Sequence, residues 1–213
     1  MATLTIITYR TGLHKKWQLL VKRAFDIVFS LLVILLLLPL LLAIALAVKL
    51  LSPGPVLYRW KVVGLNQGPI TSWKFRTMVD GADKMKRKLL DWNEATGPVF
   101  KMKNDPRITP IGRILRRFSL DELPQLWSIL KGDMSFVGPR PVLTYEWEQF
   151  NEWQRKKLSA KPGAVCLWHI RGQPRNINEW VKLDLEYIEN CCLWLDIKIL
   201  FGAVWYILSG KNC

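Results

Sequence analysis

Histidine is nearly absent from this 213-residue chain: His14 and His169 are the only two. A His-based metal site or catalytic triad is not expected on that inventory, and His169 reads as a packing or hydrogen-bonding residue. The four cysteines, Cys166, Cys191, Cys192 and Cys213, contain no CxxC spacing and two are adjacent. Neither a zinc site nor a disulfide framework is suggested, and reduced thiols fit the pattern. Acids are scarce, with 17 Asp and Glu against 31 Lys and Arg, a net charge of +14. That balance asks for an acidic partner: nucleic acid, an anionic membrane face or a phosphorylated substrate. No nucleic-acid motif, internal repeat or low-complexity linker accompanies it. The length suits one domain with its own core rather than two.

Apolar residues are present in one concentrated block. Residues 27 to 48, IVFSLLVILLLLPLLLAIALAV, carry no charge. A straight helix of that length rises ~33 Å, about the thickness of a bilayer core. The block is too long, and begins too far into the chain, for a cleavable signal peptide. Pro39 lies in its middle, where it removes a backbone donor and crowds the preceding turn. Each half is then ~16 Å, enough for one leaflet. Basic residues flank both ends: Lys15, Lys16, Lys22 and Arg23 before, Lys49, Arg59, Lys61, Lys74 and Arg76 after. The positive-inside tendency places both ends on the cytoplasmic face, which favours a re-entrant hairpin over an ordinary span. Asp26, at the entry, can pair with Lys22 or Arg23 at helical spacing.

Beyond the turn Ser52-Pro53-Gly54-Pro55, the chain reads as a β-hairpin turning around Gly64 to Pro69. Helices are expected over 80–93, 111–118, 124–130, 143–158 and 179–190. A last apolar helix, LWLDIKILFGAVWYIL, is interrupted by Asp196 and Lys198 and reads as buried or interfacial. The aromatic spacing of Trp147, Phe150 and Trp153 fits either a core or a membrane-surface stripe. The expected class is mainly α with a small β-hairpin (α+β). It comprises a tail (1–18), a re-entrant membrane helix (19–51) and a cytoplasmic, membrane-associated catalytic part (52–213), with 19–209 forming one domain.

The acids that do occur include a neighbouring pair, Asp121 and Glu122, in SLDELPQLW. Arg113, Arg116 and Arg117 precede it and Arg140 follows. A capping box from Ser119 to Glu122 is one reading; a helix opening at Pro124, with the pair in the turn before it, is the other. The chemical reading is phosphoryl transfer. A carboxylate can attack phosphorus and form an acyl phosphate, if a metal on its neighbour and several cations remove the repulsion.

The stretch DPRITPIGRILRRFSLDELPQLWSILKGDMSFVGPRP, 105 to 141, closely resembles the bacterial sugar transferases, the monotopic phosphoglycosyl transferases. The resemblance continues in KRAFDIVFS, Pro39, SPGP and WKFRTM upstream, and in KLSAKPG, LDLEYIEN and LWLDIKIL downstream. It implies transfer of a sugar phosphate from a UDP-sugar, with a hexose favoured, to polyprenol (undecaprenyl) phosphate, with release of UMP. This is the first membrane step of exopolysaccharide or glycan assembly. Asp121 matches the nucleophile, which forms a covalent phospho-sugar intermediate, and Glu122 the Mg²⁺-binding partner. Lys74, Arg76, Arg116 and Arg140 match basic positions near the phosphates, and Pro39 matches the helix break. Arg171, Gln173, Arg175 and Asp184 are carried over as nucleotide-binding positions. Gln173 stands where the family has Arg, so Arg171 or Arg175 would have to compensate. Leu38 before the proline, Val62, Val165 and Cys191-Cys192 are further departures. The implied location is the cytoplasmic face of the bacterial inner membrane, among anionic headgroups. Nucleic acid is not an expected partner, and a homo-oligomer is compatible with the pattern. The rival reading is a catalytically weakened scaffold of a polysaccharide assembly system.

Overall fold

Leu, Ile, Val and Ala without a glycine favour a helix wherever backbone groups cannot reach water. The computed structural model describes residues 16–209 apart from Gln173 and Arg175. Helix α1 spans Lys16–Leu51, 36 residues with Pro39 inside. The expected tail therefore ends earlier, since Lys16, Trp17 and Gln18 already belong to α1. No loop divides the helix into separate arms at Pro39. A single proline deletes one hydrogen bond and crowds one carbonyl, which a long helix can absorb as a local distortion.

One face of α1 stays against the rest of the protein. Lys22, Asp26, Ser30, Val33, Leu37, Leu41, Ile44 and Val48 recur at steps of three and four and are buried or half-buried. Leu20, Leu32, Leu36, Leu42, Leu46 and Leu50 lie exposed around the other side. The charged residues at its start are consumed in docking rather than in pairing with one another. Lys22 Nζ donates to Asp196 Oδ2 at 2.6 Å and to the Val137 carbonyl at 3.0 Å. Arg23 donates to the carbonyls of Ile129 and Leu130, both at 2.7 Å. Asp26 accepts from the Phe136 N–H at 3.1 Å and from Ser135 Oγ at 3.2 Å. The local pairing expected for Asp26 thus gives way to buried backbone and hydroxyl donors that need an acceptor.

Strands β1 (Leu57–Val63) and β2 (Pro69–Phe75) form the antiparallel hairpin, with Leu57 opposite Phe75 and Val63 opposite Pro69. Helix α2 (Ala82–Lys86) tightens into a 3-10 turn, Arg87–Trp92, where one longer helix is expected. Helices α3 (Pro110–Arg117) and α4 (Leu126–Lys131) flank a 3-10 turn, Leu120–Gln125. Strands β3 (Ser135–Val137) and β4 (Val142–Leu143) follow. The helix expected over 143–158 is divided into α5 (Thr144–Glu148) and α6 (Glu152–Arg155). Asn151 makes the division, because its side chain accepts from the Gln154 N–H and starts a new helix. Strand β5 (Gly163–Val165), α7 (Trp168–Arg171), α8 (Ile177–Asn190) and α9 (Leu193–Leu208) complete the chain.

β4 pairs antiparallel with β1 and extends the hairpin to three strands, while β3 and β5 pair in parallel. These strands are two or three residues long, too short to show a period. Phe150 and Trp147 pack with Val63, Val142 and Trp180, so this aromatic stripe serves the core. A second cluster joins Ile129, Met134, Val137, Ile188 and Ile199. A third joins Ile44 and Val48 of α1 to Phe75 of β2 and Leu115 of α3, just ahead of the acidic pair. Helix α9 buries Asp196, Ile199 and Ala203 and exposes Trp194, Phe201 and Trp205, so it is two-faced.

Candidate active site

The acidic pair is placed by a close approach of two backbones. Thr109 caps α3 by accepting from the Gly112 N–H at 3.0 Å, and Pro110 occupies the first turn, where its missing donor costs nothing. A Cβ on Gly112 would lie 2.0 Å from the Thr77 carbonyl oxygen, so only glycine lets α3 settle on the end of β2. Arg116 then reaches Thr77 Oγ1 with its Nε at 2.9 Å. Ser119 adopts a left-handed φ of 52° and makes no side-chain cap. The chain turns there, and Asp121 and Glu122 fall in the first turn of the 3-10 segment, with Pro124 inside it. Neither the capping box nor a helix opening at Pro124 is found; α4 starts only at Leu126.

Asp121 is buried and Glu122 is half-buried. Lys74 Nζ, from β2, lies 2.6 Å from Glu122 Oε1 and 3.9 Å from the centroid of the Trp60 ring. Burial, then the charge of Glu122, pushes the Asp121 carboxyl up to about 6, against the pull of Lys74 and Arg116. Burial works against the Glu122 charge as well. Lys74, by charge and hydrogen bond, outweighs it with help from His169 and Arg140, and holds Glu122 below the usual range. Two adjacent carboxylates with divergent titrations are suited to different roles.

Arg140 also acts on the pair through its charge, favouring the ionised form of Glu122. Its backbone N–H donates to Asp184 Oδ1 at 3.0 Å. Its guanidinium lies 4.5 Å from the Trp180 ring centroid and 5.4 Å from that of Trp168, and the indole N–H of Trp180 donates to the Pro174 carbonyl. His169 stacks beside Trp168 with centroids 4.5 Å apart, and burial lowers its pKa. Asp105 and Arg107 form a buried bidentate pair, 2.8 and 2.6 Å, whose charges reach Arg116.

Two residues carried over from the resemblance sit elsewhere. Arg76 donates through Nη2 to the Ser52 carbonyl at 2.6 Å and so closes the C-terminal end of α1. Asp184 is fully buried and its Oδ2 meets Lys157 Nζ, also fully buried, at 2.5 Å. It holds the Arg140 backbone from behind and is a positioning group, because both its oxygens are engaged inside the protein. Arg171 makes a surface pair with Glu186 at 3.1 Å. Gln173 and Arg175 lie outside the described residues. The structure thus gathers Lys74, Arg116, Asp121, Glu122 and Arg140, and turns Arg76 and Asp184 to supporting work. Sequence reasoning missed Lys157, Trp168, Trp180 and the Asp105–Arg107 pair. Only the last had a signal, a cation two residues from an acid in DPR.

Among the described residues no three His, Cys, Asp or Glu side chains gather as a metal cage. The acidic pair still suits Mg²⁺, which commonly binds one or two carboxylates and completes its shell with phosphates and water. Glu122 keeps 40% of its side chain exposed while Lys74 engages Oε1, so its carboxylate remains open to such an ion.

A buried acid of raised pKa, a charged neighbour and the charges of Lys74, Arg116 and Arg140 make a site suited to an anionic group, in a chain that also carries a long apolar helix. Residues 17–210 match the family model for bacterial sugar transferases, and the chain belongs to that family. It is 40% identical over 210 residues to the galactosyl transferase CpsE of Streptococcus agalactiae serotype III, covering 98% of this chain and 46% of that protein. It is 38% identical over 214 residues to the undecaprenyl-phosphate galactose phosphotransferase of Salmonella typhimurium, covering 95% and 44%. It is 43% identical over 196 residues to the UDP-glucose:undecaprenyl-phosphate glucose-1-phosphate transferase of Escherichia coli, covering 87% and 40%. The chain spans less than half the length of these three relatives.

Proposed function

We propose that this chain transfers a hexose phosphate from a UDP-hexose to undecaprenyl phosphate and releases UMP. The observation that carries the reading is the Asp121–Glu122 pair, with Lys74 at 2.6 Å from Glu122 and the charges of Arg116 and Arg140 acting on the two acids. The relatives named for galactose and glucose phosphate transfer to undecaprenyl phosphate support it.

An Asp121 carboxylate oxygen attacks the phosphorus that bears the sugar. The new bond is an acyl phosphate, and the bond broken joins that phosphorus to the bridging oxygen, which leaves with UMP. An oxygen of undecaprenyl phosphate then attacks the same phosphorus, and the Asp121 carboxylate leaves. Burial withholds water from Asp121 and makes its charge less comfortable in the resting site, while Lys74, Arg116 and Arg140 offset the negative charge of incoming phosphates. Glu122, with Asp121 beside it, would hold Mg²⁺. When bound, the ion neutralises phosphate charge.

A re-entrant, monotopic arrangement on the cytoplasmic face of the bacterial inner membrane is part of the same reading. It is supported by the contact stripe along α1, since Asp26 and Ser30 before Pro39 and Ile44 and Val48 after it are all buried. The exposed Trp side chains of α9 suit an interface lined with headgroups.

The test is intact mass spectrometry of solubilised protein incubated with Mg²⁺ and a panel of UDP-sugars, without acceptor. One hexose phosphate added per chain, located on Asp121 and matched by released UMP, is expected. No adduct and no UMP from folded protein would favour the scaffold reading.

A further inference from the structure

The sugar nucleotide, UMP and the phosphates are all polar, yet one hollow among the described residues is lined by apolar side chains. A groove of about 340 Å³ opens between α1 and the β-hairpin. Ile34 and Leu41 of α1, Leu57 of β1, Trp73 of β2, and Leu123 and Trp127 line it. No charged side chain lines it. Leu123 and Pro124, also in the lining, directly follow Glu122 in the chain, and Trp73 directly precedes Lys74, so the groove is lined by the chain neighbours of the acidic pair and its lysine. Trp127 in this lining is 56% exposed, and α1 presents Leu35, Leu38 and Leu42 outward.

We infer that this groove receives the isoprenoid units of the acceptor lipid nearest its phosphate. The inference rests on the function proposed above. Of the reaction's participants only the acceptor has an apolar part, and its phosphate must come within bonding distance of Asp121. A chain arriving from the bilayer gains little by transfer, because lipid is as apolar as the groove. What the groove supplies is position. Trp73 and Trp127 offer flat, rigid contact surfaces for branched units, and a chain held along Leu123 and Pro124 leads its phosphate to Glu122 and Lys74. Ile34 and Leu41 lie on opposite sides of Pro39, so the groove requires both halves of α1 to face the same hairpin. The position of the proline and the path of the acceptor are thereby connected.

The experiment uses the full chain in lipid nanodiscs. A diazirine placed on the second isoprene unit of an undecaprenyl phosphate analogue is photolysed, and labelled peptides are sequenced. Labels on residues 123–127 and 34–41 are expected, competed by undecaprenyl phosphate and not by phosphatidylglycerol. Labels confined to Leu35, Leu38 and Leu42, or equal competition by phosphatidylglycerol, overturn the inference. Leu41→Trp fills the groove and is expected to raise KM for undecaprenyl phosphate about tenfold, equivalent to about 1.4 kcal/mol. Leu36→Trp, on the exposed face, serves as the matched control, and an equal effect in both variants also overturns it. If the unaltered protein releases no UMP with any UDP-sugar while the label still reaches the groove, the transfer reading fails and not the groove. If UMP is released and the label misses, only the groove assignment fails.

Discussion

Replacing the acid proposed to attack phosphorus should make this protein more stable. Asp121 is buried beside another carboxylate, and its carboxyl titrates near 6 instead of 3.8. For an acid whose pKa is higher in the folded state, ionisation opposes folding. The cost is absent well below 3.8, grows as pH rises, and is complete above about 6. At about 1.36 kcal/mol per pH unit, the full cost is about 3 kcal/mol at pH 7.5, falling to about 1 kcal/mol at pH 4.5. Asp121→Asn keeps the shape and removes the charge, so it relieves at most that amount; the amide also presents donors toward Lys74 and Arg116, which offsets part of the gain. For a chain of this length about 3 kcal/mol corresponds to a Tm rise of roughly 6–12 °C. The assay is thermal unfolding of the detergent-solubilised protein at pH 7.5 and 4.5, paired with UMP release. The variant should be inactive, more stable at pH 7.5, and closer to the unsubstituted protein at pH 4.5. A variant less stable at pH 7.5, or a difference independent of pH, would refute the account of a strained carboxylate.

The acid limb of kcat/KM should lie near pH 6, leaving about a tenth of the activity at pH 5. Lys74→Met should move that limb upward, since Lys74 favours the charged forms of both acids; an unmoved limb in UMP-release profiles would count against the assignment. Lys157→Met should cost about 3–5 kcal/mol by stranding the buried Asp184 charge, whereas the double variant with Asp184→Asn should recover much of it in denaturant unfolding. Single cysteines at position 14 and at Pro55, in a background lacking the native cysteines, should both be labelled from the cytoplasmic side of the membrane. Labelling of position 14 from the opposite side would mean that α1 crosses.

The arrangement explains why a very basic chain keeps adjacent acids. Alone they would repel. Lys74, Arg116 and Arg140 make one of them a stable anion and leave the other poised, and the cations come from β2, α3 and the segment between β3 and β4. The same economy recurs in α1, where Arg23 caps α4, Asp26 meets β3 and Lys22 pairs with α9.

Much of this was readable locally. An uncharged run of 22 residues, 27–48, can only be a helix in an apolar setting. Gly64 to Pro69 announces a turn between alternating segments, and the Asp-Glu pair among arginines marks a candidate anion site. Those features depend on neighbours in the chain, so composition and spacing determine them. Other features depend on packing between distant residues. Asn151 competes successfully for the Gln154 N–H and divides a helix that periodicity would continue. Arg76 turns to the end of α1 because the Ser52 carbonyl arrives there. Lys157 and Asp184 are 27 residues apart in the chain, and nothing near either one foretells a buried pair behind Arg140. Whether a titratable group is charged, and which acceptor a donor finds, depends on which distant groups share its low-dielectric surroundings. Only the tertiary structure decides that.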